Sequence, residues 1–256
     1  MNILVTGHRG YIGTHLVPLL VTAGHQIQGC DLRDGQDYRD IRNQEFDCVI
    51  HLAALVSVRE SFEEEKAYYF NNSYGVLDFL RNNHVKRFIF ASTGGAMYGD
   101  SHLAKETDPV DPMSPYAASK RMGEMVVSRH PNHCILRLAN VFGGDYSVRG
   151  EAAAHAHFET DNPIVVYGGD QTRDFIHVDV VCRAILTATT GSMRGTYNIG
   201  SGVETHIGDL AAFYSSTRGV PLVIQPAREG EVQHISLDCT RAGQDGLLPS
   251  LEHITG

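Results

Sequence analysis

The sequence predicts an α/β protein: a doubly wound parallel sheet with a small C-terminal lobe. Three observations predict it. Short apolar runs alternate with amphipathic stretches through the first half of the chain, the pattern of βαβ units. A glycine-rich turn joins the first apolar run to the first amphipathic stretch. The 256 residues are 42% hydrophobic and 20% charged, which suits one α/β domain with an appendage and excludes bulk disorder or a disulfide-stapled mini-fold.

Taken in order, the runs Ile3–Thr6, Gln26–Cys30, Cys48–Leu52, Phe88–Ala91 and Cys134–Leu138 are short and apolar, so they read as buried parallel strands. Tyr11–Ala23, Glu60–Asn82 and Tyr116–Arg129 read as the helices between them. From about Gly143 the pattern changes, and Gly143-Gly144, Gly150, Gly168-Gly169, Gly200 and Gly202 cut the chain into short pieces. Asp179–Thr189 and His206–Arg218 read as two later helices. The expected division is a main domain over 1–145, its sheet also receiving segments around 174–200. A small lobe then comprises 146–173 and 201–256.

Charge and cysteine usage narrow the function. Lys and Arg number 21 against 30 Asp and Glu, a net charge of −9 without a basic run. That excludes non-specific binding to nucleic acid or to an anionic membrane. No apolar stretch approaches the roughly 20 residues of a membrane span, and Asn2–Thr6 is too short for the apolar region of a signal peptide. The cysteines Cys30, Cys48, Cys134, Cys182 and Cys239 are scattered and form no C-x-x-C, so free thiols in a reducing cytoplasm are expected. No metal site is expected either. His155 and His157 cannot share a helix face as ligands spaced four apart would, and Glu63-Glu64-Glu65 reads as a solvated helix face.

Gly7-His8-Arg9-Gly10-Tyr11-Ile12-Gly13 follows a strand and opens a helix, which is the setting of a dinucleotide fingerprint. Gly7 permits the tight turn, Gly10 lets backbone approach a pyrophosphate, and Gly13 lets helix and strand pack closely. Unpaired N–H groups and the helix dipole favour the anion there. Asp31 ends the second strand about 20 residues on, where an acid takes the ribose hydroxyls of NAD and repels the 2′-phosphate of NADP. Arg9 and Arg33 point the other way, since a nearby arginine accommodates that phosphate.

Tyr116 and Lys120 stand four apart and share a helix face. A free phenol, with pKa near 10, is a poor base at neutral pH; a nearby ammonium favours the phenolate. Ser92-Thr93 ends a strand at the carboxyl edge of the sheet, where open α/β folds place ligands. A hydroxyl there can bond the substrate oxygen that Tyr116 deprotonates.

With these motifs the chain resembles an extended short-chain dehydrogenase/reductase of the NAD-dependent epimerase/dehydratase family, which acts on nucleotide sugars. The resemblance rests on Thr6 through Gly13, His51-Leu52-Ala53-Ala54, Asn72 with Gly75, Ser92-Thr93 with Tyr98-Gly99, Tyr116 with Lys120, and Arg137 through Gly143. It continues through Gly168 to Asp179 and Tyr197-Asn198-Ile199-Gly200. It implies a Rossmann domain binding NAD and a small lobe binding a nucleotide-diphosphate sugar. By resemblance Gly7, Gly10, Tyr11, Ile12, Gly13, Asp31, Asp40, Ile41, Leu52, Ala53, Ala54, Asn72, Ser92, Tyr116 and Lys120 contact the cofactor. Asp40-Ile41 would meet the adenine. Thr93, Tyr116 and Lys120 would be catalytic, with Tyr116 the base. Thr93, Asn140, Arg173 and Arg228 would hold the substrate, and an arginine fork suits its diphosphate. The resemblance also implies a homodimer through the helices Glu60–Asn82 and Tyr116–Arg129, a complete cofactor domain, and an open sugar site.

Members of the family share one opening step, proton removal from a sugar hydroxyl while the hydride leaves carbon for NAD. A 4,6-dehydratase then needs a further acid and base, and its relatives carry Asp-Glu directly after the active-site Thr. Gly94-Gly95 stands there instead. The expectation is a C4 epimerase with tightly held NAD. A nucleotide-sugar 4-ketoreductase or dehydrogenase is the alternative, and intact Thr93, Tyr116 and Lys120 argue against a non-catalytic dinucleotide-binding protein.

Overall fold

The computed structural model describes residues 1–144, 154–227 and 232–248, with the backbone alone for 154–156. Its centre is a six-stranded sheet in the order Gly195–Ile199, His133–Leu138, Phe88–Thr93, Cys48–His51, Asn2–Thr6, Gln26–Cys30, and every pairing is parallel. The predicted α/β class and doubly wound sheet are found, Rossmann-like in form.

Period-two alternation sorts the strand residues onto two faces. Ile3, Val5, Ile50, Ile89, Cys134 and Leu136 join one buried cluster with Leu16 and Leu20 of the Tyr11–Thr22 helix and Val181 and Ile185 of the Val178–Thr190 helix. Leu4, Val49, Phe88, Phe90 and Ile135 join the opposite cluster with Val76, Phe79 and Val127, from the helices Gly75–Asn82 and Pro115–Val127. Both faces are covered, which is why the strands read as continuous apolar runs.

Two expectations need correction. Glu60–Asn82 is not one helix. It runs as Glu60–Glu63, Glu65–Tyr69, a π-helical turn at Phe70–Tyr74, and Gly75–Asn82. Inside the π turn, the Asn72 side chain accepts from the Leu55 N–H at 3.0 Å and donates to the Leu55 carbonyl at 2.9 Å. Such one-turn insertions re-aim a side chain at functional sites, and hydrophobic periodicity does not register them. Second, Gly195–Ile199 joins the main sheet, whereas Thr172–His177 pairs with Asn140–Phe142 and Glu204–His206 in a separate three-stranded sheet.

The sheet ends at the second strand. No strand lies outside Gln26–Cys30 in the described sheet, and the connection from there to Cys48 holds two 3-10 turns and the two-residue strand Glu45–Phe46. A connection of that length makes one crossover and nothing more.

The lobe has its own core of Phe158, Ile164, Val166, Phe175, Ile207 and Ala211. Buried Asp174 ties it to the rest, its carboxylate accepting from the backbone N–H of Ser201 (2.8 Å), Gly202 (3.1 Å) and Leu237 (3.2 Å). The described cysteines are all free. No helix among the described residues is long and apolar enough to cross a membrane.

Candidate active site

The strand order reverses between Asn2–Thr6 and its neighbour Cys48–His51. Loops leaving the carboxyl ends of such a pair frame a crevice, the place where open α/β sheets bind ligands. The loop after the first strand is the glycine turn. Gly7 sits at φ +73°, and a Cβ there would lie 2.7 Å from the Ala53 nitrogen. Gly13 is equally constrained, because a Cβ would run into the His8 backbone at 2.7 Å. Gly10 is the N-cap of the first helix. No side chain caps it, and the first turn carries no acid. The exposed N–H groups therefore suit a pyrophosphate, as the sequence predicted.

Around this turn, the Asp31 carboxylate accepts from the backbone N–H of Arg9 at 3.1 Å and of Arg33 at 2.9 Å. The two arginines that argued for NADP are turned to protein partners. Arg33 donates to the Arg9 carbonyl at 2.6 Å, and Arg9 pairs with Asp34. Tyr11 donates its hydroxyl to the Gly143 carbonyl, so it braces the turn against the loop after Asn140–Phe142.

On the facing loop, Leu52 donates its N–H to the Thr6 carbonyl at 3.0 Å, and Ala53 donates to the Thr6 hydroxyl at 3.4 Å. Ile12 and Leu52 pack on one core cluster; Ile41 and Ala53 pack on the other. Asp40 is exposed in the Tyr38–Asp40 turn, and Ala54 continues the Leu52 loop.

Alternation also divides the end of the Phe88–Thr93 strand. Thr93 lies on the side of Tyr116, where its hydroxyl accepts from the Ala96 N–H at 3.2 Å, while Ser92 donates to Glu124 at 2.7 Å on the other side. Ser92 was expected at the cofactor; the structure gives its hydroxyl to the buried carboxylate instead. Asn72 is likewise engaged, since it also donates to the Ser119 hydroxyl at 3.0 Å. It fixes the loop beside the crevice to the Pro115–Val127 helix.

That helix begins where Ser114 accepts from the Ala117 N–H at 3.2 Å and Pro115 fills the first position, which needs no donor. The cap sets Tyr116 and Lys120 on one face. Burial pushes the Tyr116 phenol up to about 12, against the nearby Thr93 hydroxyl, which lowers it. Lys120 is buried, its ammonium 4.2 Å from the centre of the Phe90 ring. Burial pulls it down to about 7, opposed by the charge of Glu124 one turn on. The expectation that Lys120 lowers the phenol is not met within the protein alone; Thr93 does so. The ammonium lies against an apolar ring and loses its own charge near neutrality.

These two shifts set a pH dependence. Folded Lys120 releases its proton near 7 rather than 10.5, so between those values the unfolded chain holds more protons and stability rises with pH. Above 10 the unfolded phenol ionises before folded Tyr116, and stability falls between 10 and 12. Denaturation midpoints of wild type should therefore climb from pH 7 to 9, and Lys120→Met should flatten the climb. An unchanged slope in the variant contradicts the burial argument.

Beneath the catalytic face lies a network absent from the sequence reading. Glu124 and Arg137 are 1% and 3% exposed. Arg137 donates to Glu124 at 2.9 and 2.7 Å and to the Tyr98 hydroxyl at 2.7 Å; Tyr98 donates to Asn198 at 2.8 Å. An arginine within the apolar run Cys134–Leu138 was the available signal, because a charge is buried only when paired.

On the substrate side, Asn140 lies with its carboxamide oxygen 3.3 Å from where a Gly95 Cβ would stand. A Gly94 Cβ would come within 2.5 Å of Leu237. Asn140 is paired with Phe175, which brings the strand of Arg173 alongside. The Arg173 guanidinium donates to the Thr172 carbonyl at 2.7 Å. Arg228 lies outside the described residues.

Comparison with known proteins decides the family. Residues 3–200 match the family model described as the NAD dependent epimerase/dehydratase family. The chain belongs to that family. A putative UDP-glucose 4-epimerase of Methanocaldococcus jannaschii is 32% identical, the alignment covering 98% of this chain and 94% of the relative. The UDP-glucose 4-epimerase of Mycolicibacterium smegmatis is 30% identical over 94% and 91%. Among solved structures, Thermotoga maritima UDP-glucose 4-epimerase with UDP-glucose superposes with a TM-score of 0.83 at 30% identity, covering 95% of this chain and 92% of that one. The Thermus thermophilus enzyme, in complex with NAD, gives 0.85 at 28% identity over 98% and 94%.

Proposed function

We propose that the protein is an NAD-dependent nucleotide-diphosphate-sugar epimerase acting at C4. The observation that carries this reading is the surroundings of Thr93. Thr93 lies near enough to Tyr116 to lower its phenol, while Gly94 and Gly95 follow Thr93 with no carboxylate, a Cβ on them meeting Leu237 at 2.5 Å and Asn140 at 3.3 Å. A proton can be taken from a sugar hydroxyl here, but no carboxylate fits beside it to expel water. The relatives named UDP-glucose 4-epimerase support the same assignment.

The residues suit NAD. The bare N-terminus at Gly10 accepts the pyrophosphate, Asp31 takes the ribose hydroxyls, and the loop Leu52-Ala53-Ala54 closes the other wall. When bound, NAD supplies a reversible hydride acceptor and a positive ring near the phenol. Tyr116 then removes the hydroxyl proton of the sugar, Thr93 bonds the same oxygen, and Lys120 holds the ribose. Returning the proton from Tyr116 completes either epimer. Asn140, Arg173 and Arg228 hold the diphosphate while the sugar presents its other face.

Purified protein should release NAD on heat denaturation and convert UDP-glucose to UDP-galactose with no cofactor added. Asp31→Ala should weaken NAD retention and narrow the preference over NADP. Turnover that requires stoichiometric reduced cofactor would favour the ketoreductase and sink the epimerase reading.

A further inference from the structure

We propose that His102, Glu204 and His234 form a site for a divalent transition-metal ion of the Zn²⁺ class, tying the strand Ser101–Ala104 to the lobe. No spacing in the sequence announces it. His102 lies in that strand, Glu204 opens Glu204–His206, and His234 immediately precedes Ile235–Leu237. Two pairings bring them together: Ile235 stands opposite Ser101, and Glu204 stands opposite Asp174.

The imidazole rings stack with centres 4.4 Å apart and planes at 30°. One ligating atom from each of the three side chains lies within 4.8 Å of the other two, and this is the one such group of three among the described residues. Metal–nitrogen and metal–oxygen bonds of about 2.0–2.2 Å require the three to draw in by roughly 1 Å. His102, with 63% of its side chain exposed, is free to make that movement and leaves an entry path and a fourth position for water. At present its Nδ1 donates to Glu204 Oε1 at 2.6 Å; ligation through Nδ1 moves that proton to Nε2, and the imidazole binds the ion in its neutral form.

The second layer is already built. Ser236 donates to Glu204 Oε1 at 2.8 Å, and the Thr172 hydroxyl lies 3.2 Å from Glu204 Oε2 and 3.3 Å from His234 Nδ1. Such partners orient ligands and fix a ring's tautomer. Two imidazoles and one carboxylate suit Zn²⁺, Co²⁺, Ni²⁺ or Cu²⁺, whereas Ca²⁺ and Mg²⁺ require a shell of oxygens. The site is separate from Tyr116, yet it adjoins the strand of Arg173: Thr172 donates its N–H to the Gln233 carbonyl at 2.8 Å. A bound ion would therefore hold the last strand against the strand that offers Arg173 to substrate. This inference stands independently of the epimerase reading.

The full-length protein, stripped with chelator and dialysed, is titrated with Co²⁺ followed by absorption and with Zn²⁺ followed by calorimetry. One equivalent should bind, and Zn²⁺ should raise the melting temperature. Because the chain has 14 histidines, variants carry the argument. His102→Ala and His234→Ala should each weaken binding at least tenfold and abolish the thermal shift, Glu204→Gln should weaken it, and His84→Ala should leave it unchanged. Circular dichroism without metal checks that each variant is folded. Wild-type affinity in folded His102→Ala and His234→Ala, or loss confined to His84→Ala, overturns the site.

Discussion

Tyr116→Phe is expected to lower epimerisation about 10²–10⁴-fold, the usual worth of a positioned general base, while bound NAD survives purification. In this reading the phenol takes the proton, and its ring stays packed when the oxygen is removed: it meets Tyr68 edge-on at 6.4 Å. Cofactor retention separates loss of chemistry from loss of the site. Full activity in the variant would remove Tyr116 from the mechanism, and loss of NAD with activity would make it a binding residue.

Glu124→Ala is expected to destabilise the fold by about 3–5 kcal/mol, because it leaves the buried Arg137 without its counter-charge and with the neutral Tyr98 hydroxyl as partner. Against a typical net stability of about 5–15 kcal/mol, that is a large fraction from a residue that touches no ligand in this account. Ser92 would lose its acceptor as well. Pairing the change with Arg137→Met should recover much of the loss, since an apolar replacement of both partners leaves no stranded charge. Equilibrium urea unfolding of the two variants measures this. A loss below about 1 kcal/mol for Glu124→Ala would mean that the pair behaves as an exposed one.

The fold was legible where a local pattern carries the tertiary role. The main strands are apolar because both faces of the sheet are covered, and the glycine turn is visible because Gly7 and Gly13 leave no space for a Cβ. The placing of Tyr116 and Lys120 was legible for a similar reason, since helical spacing alone sets them on one face. Other features depend on what packs against them. The π turn at Asn72 exists to reach Leu55, which lies in another loop. The Ser92 hydroxyl takes its direction from Glu124, 32 residues away, which no local pattern shows. The same holds for the Thr172–His177 strand, which follows Asn140–Phe142 away from the main sheet.

The central claim is that one site removes a hydride from C4 of a nucleotide sugar and returns it to the other face. Incubating the purified protein with UDP-glucose deuterated at C4, with no cofactor added, tests it directly. The account predicts UDP-galactose with the deuterium still at C4, formed in ordinary water. Product lacking the label, or formed only when reduced cofactor is supplied, would contradict it.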